Sequence, residues 1–272
     1  MMAAPGVSLR ALAAQEQRGA GDVIVATTTS MQETGLLDSV APLFLRATGY
    51  RMRAVAVGSG QALRMGERGD ADVLLVHAPA AEAAFLRAGH GVRRRLVASN
   101  YFTLVGPADD PAGVRTARSA ADALARIRSS GTVFVSRGDS SGTHQRELAL
   151  WRQAGTDSRW PGYLEAGQGM AATLLIAAER RGYTLTDRAS FLTLRRHLDL
   201  VPLREREPAL LNVYSVIELN PAGRPRINAA GGRAFADFLT SAEVRDLLAR
   251  FGTAAFGEPL FAPAERGASS PP

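Results

Sequence analysis

The feature that most constrains this chain is a repeated order of segments. An apolar, β-branched run ends in a cluster of Ser, Thr and Gly, and that cluster opens directly into a helical pattern. "VIVATTTS" starts at Val23, "RMRAVAVGSG" at Arg51 and "VFVSRGDSSGTH" at Val133, and "DVLLVH" from Asp72 is a further apolar run of the same kind. Short apolar runs bounded by turn residues predict buried strands. Between them, Leu36, Leu37, Val40, Leu43 and Phe44 recur at the spacing of one helical face closed by Gly49, and Pro42 inside that pattern predicts a kink. Strands alternating with helices imply βαβ units and parallel sheets covered on both faces.

The same reading continues along the chain. Helices are expected in "QALRMGERG", from about Ala80 to Ala88, and in "AADALARIRSSG", "HQRELALWRQAG", "GMAATLLIAAERRG" and "GRAFADFLTSAEVRDLLARFG". From "YFTLVGP" the chain is expected to leave a first lobe, and "LLNVYSVIELNP" is a long strand suited to crossing back. No linker or internal repeat separates the halves, so two lobes joined by crossing strands are expected. Lobe 1 is assigned to 22–103 and 213–262 and lobe 2 to 104–212, with 1–21 and 263–272 outside the ordered body.

Composition narrows the function classes. With 272 residues, 46% hydrophobic and 21% charged, the chain fits a two-lobed globular body. No apolar stretch approaches the roughly 18 residues of a membrane span. The formal charge of +6 comes with Arg alone, since Lys is absent. Apart from Arg93–Arg95 and Arg195–Arg196 the arginines are scattered and not interleaved with aromatics, which argues against nucleic acid but suits attraction of a small anion. Without cysteine there are no disulfides or thiolate metal sites. The leader "MMAAPGVSLRALAAQEQRGAG" has the small-residue "ALAA" of a secretory signal's tail, but Arg10 interrupts the apolar core such a signal needs.

The three strand-end loops carry the chemistry. At a helix N-terminus, unpaired backbone N–H groups and the positive dipole end favour an anion, hydroxyls add donors, and glycine lets the backbone approach closely. In open α/β sheets ligands bind outside the carboxyl ends of the strands, where these loops fall. The plainer alternative is that each loop is an ordinary helix cap. Arg137 sharpens the anion reading, since a guanidinium makes charge-assisted bonds to an oxyanion, and Asp139 can hold it in place. A nucleophile built on Ser140 or Ser141 with His144 is the competing reading, but "GDSSGT" is not the strained G-x-S-x-G elbow. The four histidines, His77 and His144 among them, show no metal-ligand spacing. "GSGQALRMG" lacks the full dinucleotide fingerprint.

Taken together, "ATTTSMQETGLLD", "AVGSGQAL", "GDADVLLVHAP", "SRGDSSGTH", "GQGM", "YTLTDRASF" and "LLNVYSVI" resemble the tungstate-binding proteins of bacterial ABC importers, in order from about residue 22 to 262. The resemblance implies an α/β, two-lobed type II periplasmic-binding-protein fold that closes on a tetrahedral oxyanion. Its site maps onto Thr28, Thr29, Ser30, Ser59, Arg137, Ser141, Gly142 and Thr143. Ser59 stands where the family often has Thr, and Ser140 where it often has Asp. The resemblance further implies a periplasmic, monomeric protein that takes tungstate or molybdate and delivers it to the membrane permease of an ABC importer. It implies no catalytic residue, no cofactor, no resident metal and no nucleic acid. The run R-G-D-S-S-G-T is also similar to the R-x-D-x-S-G-T loop of phosphate-binding proteins, which add a carboxylate for the proton of hydrogenphosphate. "TTTS" and "VGSG" supply none, so phosphate is the alternative ligand, ahead of a hydrolase or a ligand-sensing module of a regulator.

Overall fold

Strands β1 (Gly21–Thr28) and β3 (Val73–Val76) show why the first sheet forms where it does. Val23, Val25, Val73 and Leu75 enter one buried cluster with Leu37, Phe44 and Phe235, while Ala26, Leu74 and Val76 enter another with Leu63, Phe85 and Ile217. A period of two on strands buried on both faces makes each apolar run serve two cores at once. The computed structural model describes residues 21–157 and 160–264. Of 1–21 and 263–272, expected outside the ordered body, Gly21 opens β1 and Pro263 pairs with Ala98, while 1–20 and 265–272 lie outside the described residues.

In chain order the first elements are β1, α1 (Thr29–Glu33), α2 (Leu36–Thr48), β2 (Tyr50–Val57), α3 (Ser59–Arg68), β3, α4 (Pro79–Arg87) and β4 (Gly91–Gly106). They continue with α5 (Ala120–Ser130), β5 (Phe134–Ser136), α6 (Gly142–Gln153), β6 (Tyr163–Glu165), α7 (Met170–Glu179), β7 (Thr184–Asp187), α8 (Arg188–Leu194) and β8 (Val201–Arg204). The chain ends with β9 (Leu211–Leu219), α9 (Ala229–Leu239), α10 (Ala242–Arg250), α11 (Thr253–Phe256) and β10 (Ala262–Pro263). Helix α2 runs through Pro42 as a single element.

The sheet corrects one expectation. β1 pairs in parallel with β2 and β3, but β9 runs antiparallel to β3 and to β4, so the main sheet is mixed, in the order β10-β4-β9-β3-β1-β2. The reason is the crossover. β4 is 16 residues long, and its first part pairs with β9 as far as Asn100↔Asn212 and Tyr101↔Leu211. Its last residues, Phe102 to Gly106, pair instead with β7 and β8 in the second lobe. One continuous strand thus belongs to both lobes, and β9 brings the chain back beside it.

The second lobe repeats the two-core arrangement. Leu104 and Phe134 pack with Leu124, Ile127, Trp151 and Tyr183, while their chain neighbours Val105 and Val135 pack with Met170, Leu174 and Phe191. β5 and β6 form a small parallel pair, and a bridge from Phe134 to Tyr183 ties β5 to the start of β7. The strand ends of β1, β5 and β7 and the start of α3 consequently meet where the two lobes face each other.

Candidate functional site

The first loop is built by helix α1. Thr28 caps it, its hydroxyl accepting from Met31 N at 3.2 Å, so the plain capping role holds for this residue. Ser30 Oγ lies 3.2 Å from Thr28 Oγ1, and both residues are almost fully buried. Thr29, between them, is half-buried. In the second loop Gly58 is the cap of α3 and Ser59 is the first helical residue, so its hydroxyl is not used in capping. Ser59 has no exposed surface, and its Oγ has no hydrogen-bond partner among the described residues.

The third loop is the most constrained. Ser141 caps α6 by accepting from His144 N at 3.3 Å. Gly138 and Ser140 both take left-handed backbone conformations, at φ +62° and +59°. For Ser140 that conformation is uncommon, and it is held by a hydrogen bond from its N–H to His144 Nδ1 at 3.0 Å. Arg137 is 3% exposed and donates through Nη2 to Asp139 Oδ2, while Asp139 Oδ1 accepts from Ser141 N at 3.0 Å. Asp139 therefore aims the guanidinium and closes the turn at once. Arg137 Nε and Thr143 Oγ1 are buried without a partner among the described residues.

Beneath this loop, Glu147 of α6 accepts from Ser136 Oγ at 2.7 Å, Tyr163 OH at 2.8 Å and Trp151 Nε1 at 3.1 Å. It locks the end of β5 to α6, directly before Arg137. Burial pushes its carboxyl above the usual range, with the three donors opposing.

Across the cleft the lobes touch. A Cβ on Gly142 would stand 2.9 Å from the His77 carbonyl oxygen, and one on Gly58 would stand 3.8 Å from the Asp139 carbonyl. A Cβ on Gly169, at the start of α7, would lie 3.6 Å from Glu33 Oε1. The three loops read from the sequence are therefore brought together between the lobes, with α3 facing the 139–142 turn.

Four further side chains belong to this region and escaped the sequence reading. His77, at the end of β3, places Nε2 3.4 Å from Ser30 Oγ and Nδ1 3.0 Å from Asn212 Oδ1. Burial lowers its pKa, with Asp187 and the Asn212 bond opposing and Arg137 assisting. Asp187 is fully buried; its Oδ1 caps α8 by accepting from Ser190 N at 2.9 Å, and its Oδ2 has no partner among the described residues. Glu33 is raised by burial and then by Asp187, with Arg137 pulling the other way. Carboxylates thus stand near the site although the first two loops supply none and the carboxylate of the third, Asp139, is taken up by Arg137 and Ser141 N. His77 and Asp187 occupy strand ends like the three loops, and that position was the available signal.

Ser141 and His144 are not arranged as a nucleophile and its base. His144 Nδ1 is occupied by the Ser140 backbone, and the Ser141 hydroxyl receives the His144 backbone N–H rather than approaching its ring. Among the described residues no group of three or more His, Cys, Asp or Glu is placed to hold a metal ion.

Two lobes joined by crossing strands, with buried donors from both converging between them, define a periplasmic-binding-protein-type solute-binding fold. Consistent with this, residues 13–243 match the PBP superfamily domain. The tungstate-binding protein TupA of Peptoclostridium acidaminophilum is 42% identical over 251 residues, covering 92% of this chain and 88% of that protein. The crystal structure of the tungstate-binding protein TupA from Desulfovibrio alaskensis G20 is 42% identical with a TM-score of 0.78, over 91% of this chain and all of that one. A structure described as the tungstate ABC transporter from Geobacter sulfurreducens is 42% identical with a TM-score of 0.75, over 82% of this chain and 95% of that one. The chain belongs to the family of the tungstate-binding protein TupA, within the PBP superfamily.

Proposed function

We propose that this protein is the extracytoplasmic, periplasmic solute-binding component of an ABC importer and that it captures tungstate, with molybdate as the nearly isosteric alternative. The observation that carries this reading is the set of buried donors without protein partners: Ser59 Oγ, Thr143 Oγ1 and Arg137 Nε. A buried polar group left unpaired costs roughly 1–3 kcal/mol, so a cluster of them marks a place built for a ligand. Since α3 and α6 also begin there, the ligand is an anion with several acceptor oxygens. The binders in this reading are Thr28, Thr29, Ser30, Ser59, Arg137, Ser141, Gly142 and Thr143.

The lobes in this reading are 22–103 with 213–262 and 104–212, and closure brings the Ser59 and Arg137 loops onto one ligand. The protein acts as a monomer, delivers its cargo to a membrane permease, and performs no catalysis. Its relatives' names as binding proteins support that view, and so does His144 Nδ1, which accepts from the Ser140 backbone N–H and not from a serine hydroxyl. Tungsten's anomalous scattering offers a direct test. In a crystal grown with tungstate, the metal should lie within one oxygen's reach of Ser59, Arg137 and Thr143, and a metal bound elsewhere would reject the assignment.

One observation favours a second reading. The unpartnered Asp187 Oδ2 is an acceptor, and an acceptor is what the proton of hydrogenphosphate requires. The loops nearest the unpaired donors carry no carboxylate of that kind, so phosphate stands second.

A further inference from the structure

The hydrogen bonds behind Ser30 can be assigned proton by proton. Asn212 Nδ2 donates to Asn100 Oδ1 and to Tyr214 OH, each at 2.9 Å. Its amide protons are thereby used, so Oδ1, facing His77 Nδ1 at 3.0 Å, is an acceptor and Nδ1 carries the hydrogen. In the neutral imidazole Nε2 is then a lone pair, and among the described residues its hydrogen-bond partner is Ser30 Oγ, at 3.4 Å, which donates to it. Ser30 in turn receives the proton of Thr28 Oγ1, whose lone pair already takes the Met31 N–H. The hydroxyl protons of Thr28 and Ser30 thus run toward His77.

We propose that His77 is the positioning residue of the anion site: a proton taken up at Nε2 when the anion binds reverses this chain and turns a hydroxyl proton of the first loop toward the anion. This rests on the oxyanion-binding reading above. The balance is simple. A proton from solvent adds to the Nε2 lone pair, Nε2–H donates to Ser30 Oγ, and the displaced Ser30 or Thr28 proton becomes a donor to an anion oxygen; no covalent bond to the ligand forms. His77, 3% exposed, lines an open cavity of about 340 Å³ together with Phe102, Gly142, Arg146 and Asn212, the side from which a proton would enter.

The groups facing the ring set the direction. Asp187 at the end of β7 favours the imidazolium, and Arg137 opposes it while paired to Asp139. Arg146 of α6 lines the same cavity, and Glu33 lies on α1 within the field of Asp187 and Arg137. From β9 and β4 the ring is flanked by Tyr214 at 4.9 Å and Phe102 at 6.3 Å, neither charged. In the anion-free protein burial favours the neutral imidazole of His77. A bound dianion beside Ser30 offsets the Arg137 charge and favours the imidazolium, so binding and protonation help each other.

The test is calorimetry of tungstate binding at about pH 6 in buffers of different ionisation enthalpy, which counts protons. The wild type should take up a substantial fraction of a proton, approaching about one, and its affinity should rise by up to about tenfold per unit of falling pH across the His77 titration. His77→Gln should still bind tungstate, more weakly, with no uptake and a flat profile. Asn212→Asp puts a carboxylate on Nδ1, protonates His77 beforehand and should also abolish uptake at this pH, which covers the case of a His77→Gln protein that does not fold. Tungstate binding without proton uptake in the wild type would overturn the inference and leave the functional reading intact. Uptake undiminished in His77→Gln would move the proton to Glu33 or Asp187 and overturn it as well. A wild type that binds no tungstate overturns both.

Discussion

The Cα of Gly142, at the start of α6, faces the backbone of His77 so closely that a Cβ would sit 2.9 Å from the His77 carbonyl oxygen and 3.1 Å from its Nδ1. The contact joins a second-lobe helix to a first-lobe strand end, and backbone carbonyls on one side and a packed ring on the other leave little room to shift. Gly142→Ala should therefore hold the lobes apart. Overpacking costs typically 1–3 kcal/mol, so tungstate affinity should fall by about one to two powers of ten. A lowered midpoint with unchanged affinity would mean the contact is structural alone.

Arg137 gives a second prediction. It is buried, aimed by Asp139, and retains an unused Nε donor. Arg137→Ala should weaken tungstate binding by at least about tenfold, since a charge-assisted bond to a buried anion is lost. Arg137→Lys should recover only part, because an ammonium keeps the charge but cannot bond Asp139 and the anion through one planar fork. Titration of both variants checks the order of affinities.

His144 behaves differently. Its ring nitrogen holds the strained Ser140 backbone and does not point a base at a hydroxyl. His144→Ala should leave tungstate affinity within about a few-fold, since one exposed backbone bond contributes about 1 kcal/mol or less. Ester or phosphoester turnover in the wild type that vanishes in this variant would establish a hydrolase instead.

The buried, neutral His77 also predicts how stability depends on pH. Its folded pKa lies below the unfolded value of 6.5, so its contribution is present above that value and is lost as the pH falls through the folded pKa. Glu33, Glu82 and Glu147 are raised by burial, so their contributions are present at acid pH and lost as the pH rises through their folded values. Those groups are common to wild type and His77→Gln. Between about pH 7 and pH 5 the anion-free wild type should therefore lose more of its thermal midpoint than His77→Gln does. Parallel curves for the two proteins would contradict a neutral buried His77.

Much of the fold was legible because its strands are short, apolar and buried on both faces, and because each ends in turn residues that open a helix. β1, β3, β5, β9 and the longer helices follow that local code, whereas β2, read as a buried strand, lies at the sheet edge with none of its residues buried. β6 and β7 were not read, since "YLE" and "TLTD" are too short to carry a period and owe their pairing to distant partners, the first to Phe134–Ser136 and the second to Phe102–Val105. Strand direction was misjudged for the same kind of reason: whether β9 runs parallel or antiparallel depends on the crossover, which no local pattern records. At the site, donor-rich loops announced themselves by composition. His77, Asn212 and Asp187 are isolated in sequence, one just after β3, one in β9 and one at the end of β7, and only the fold brings them behind Ser30 and Arg137.

The central claim is selectivity for a fully deprotonated tetrahedral oxyanion, and calorimetric titration with tungstate, molybdate, sulfate and phosphate tests it most directly. Hydrogenphosphate brings an O–H that either stays unpaired against Arg137 or takes a lone pair of the Ser59 or Thr143 hydroxyl, which gains it no more than an oxygen already has and leaves fewer charge-assisted bonds; an unsatisfied buried polar group costs roughly 1–3 kcal/mol, or about one to two powers of ten in affinity. Sulfate has no such proton, but its shorter bonds should leave it loosely held. The account predicts one tungstate per chain, molybdate comparable, sulfate weaker, and phosphate weaker than tungstate by about one to two powers of ten. Phosphate binding tighter than tungstate would contradict it and assign Asp187 the acceptor role of a phosphate site.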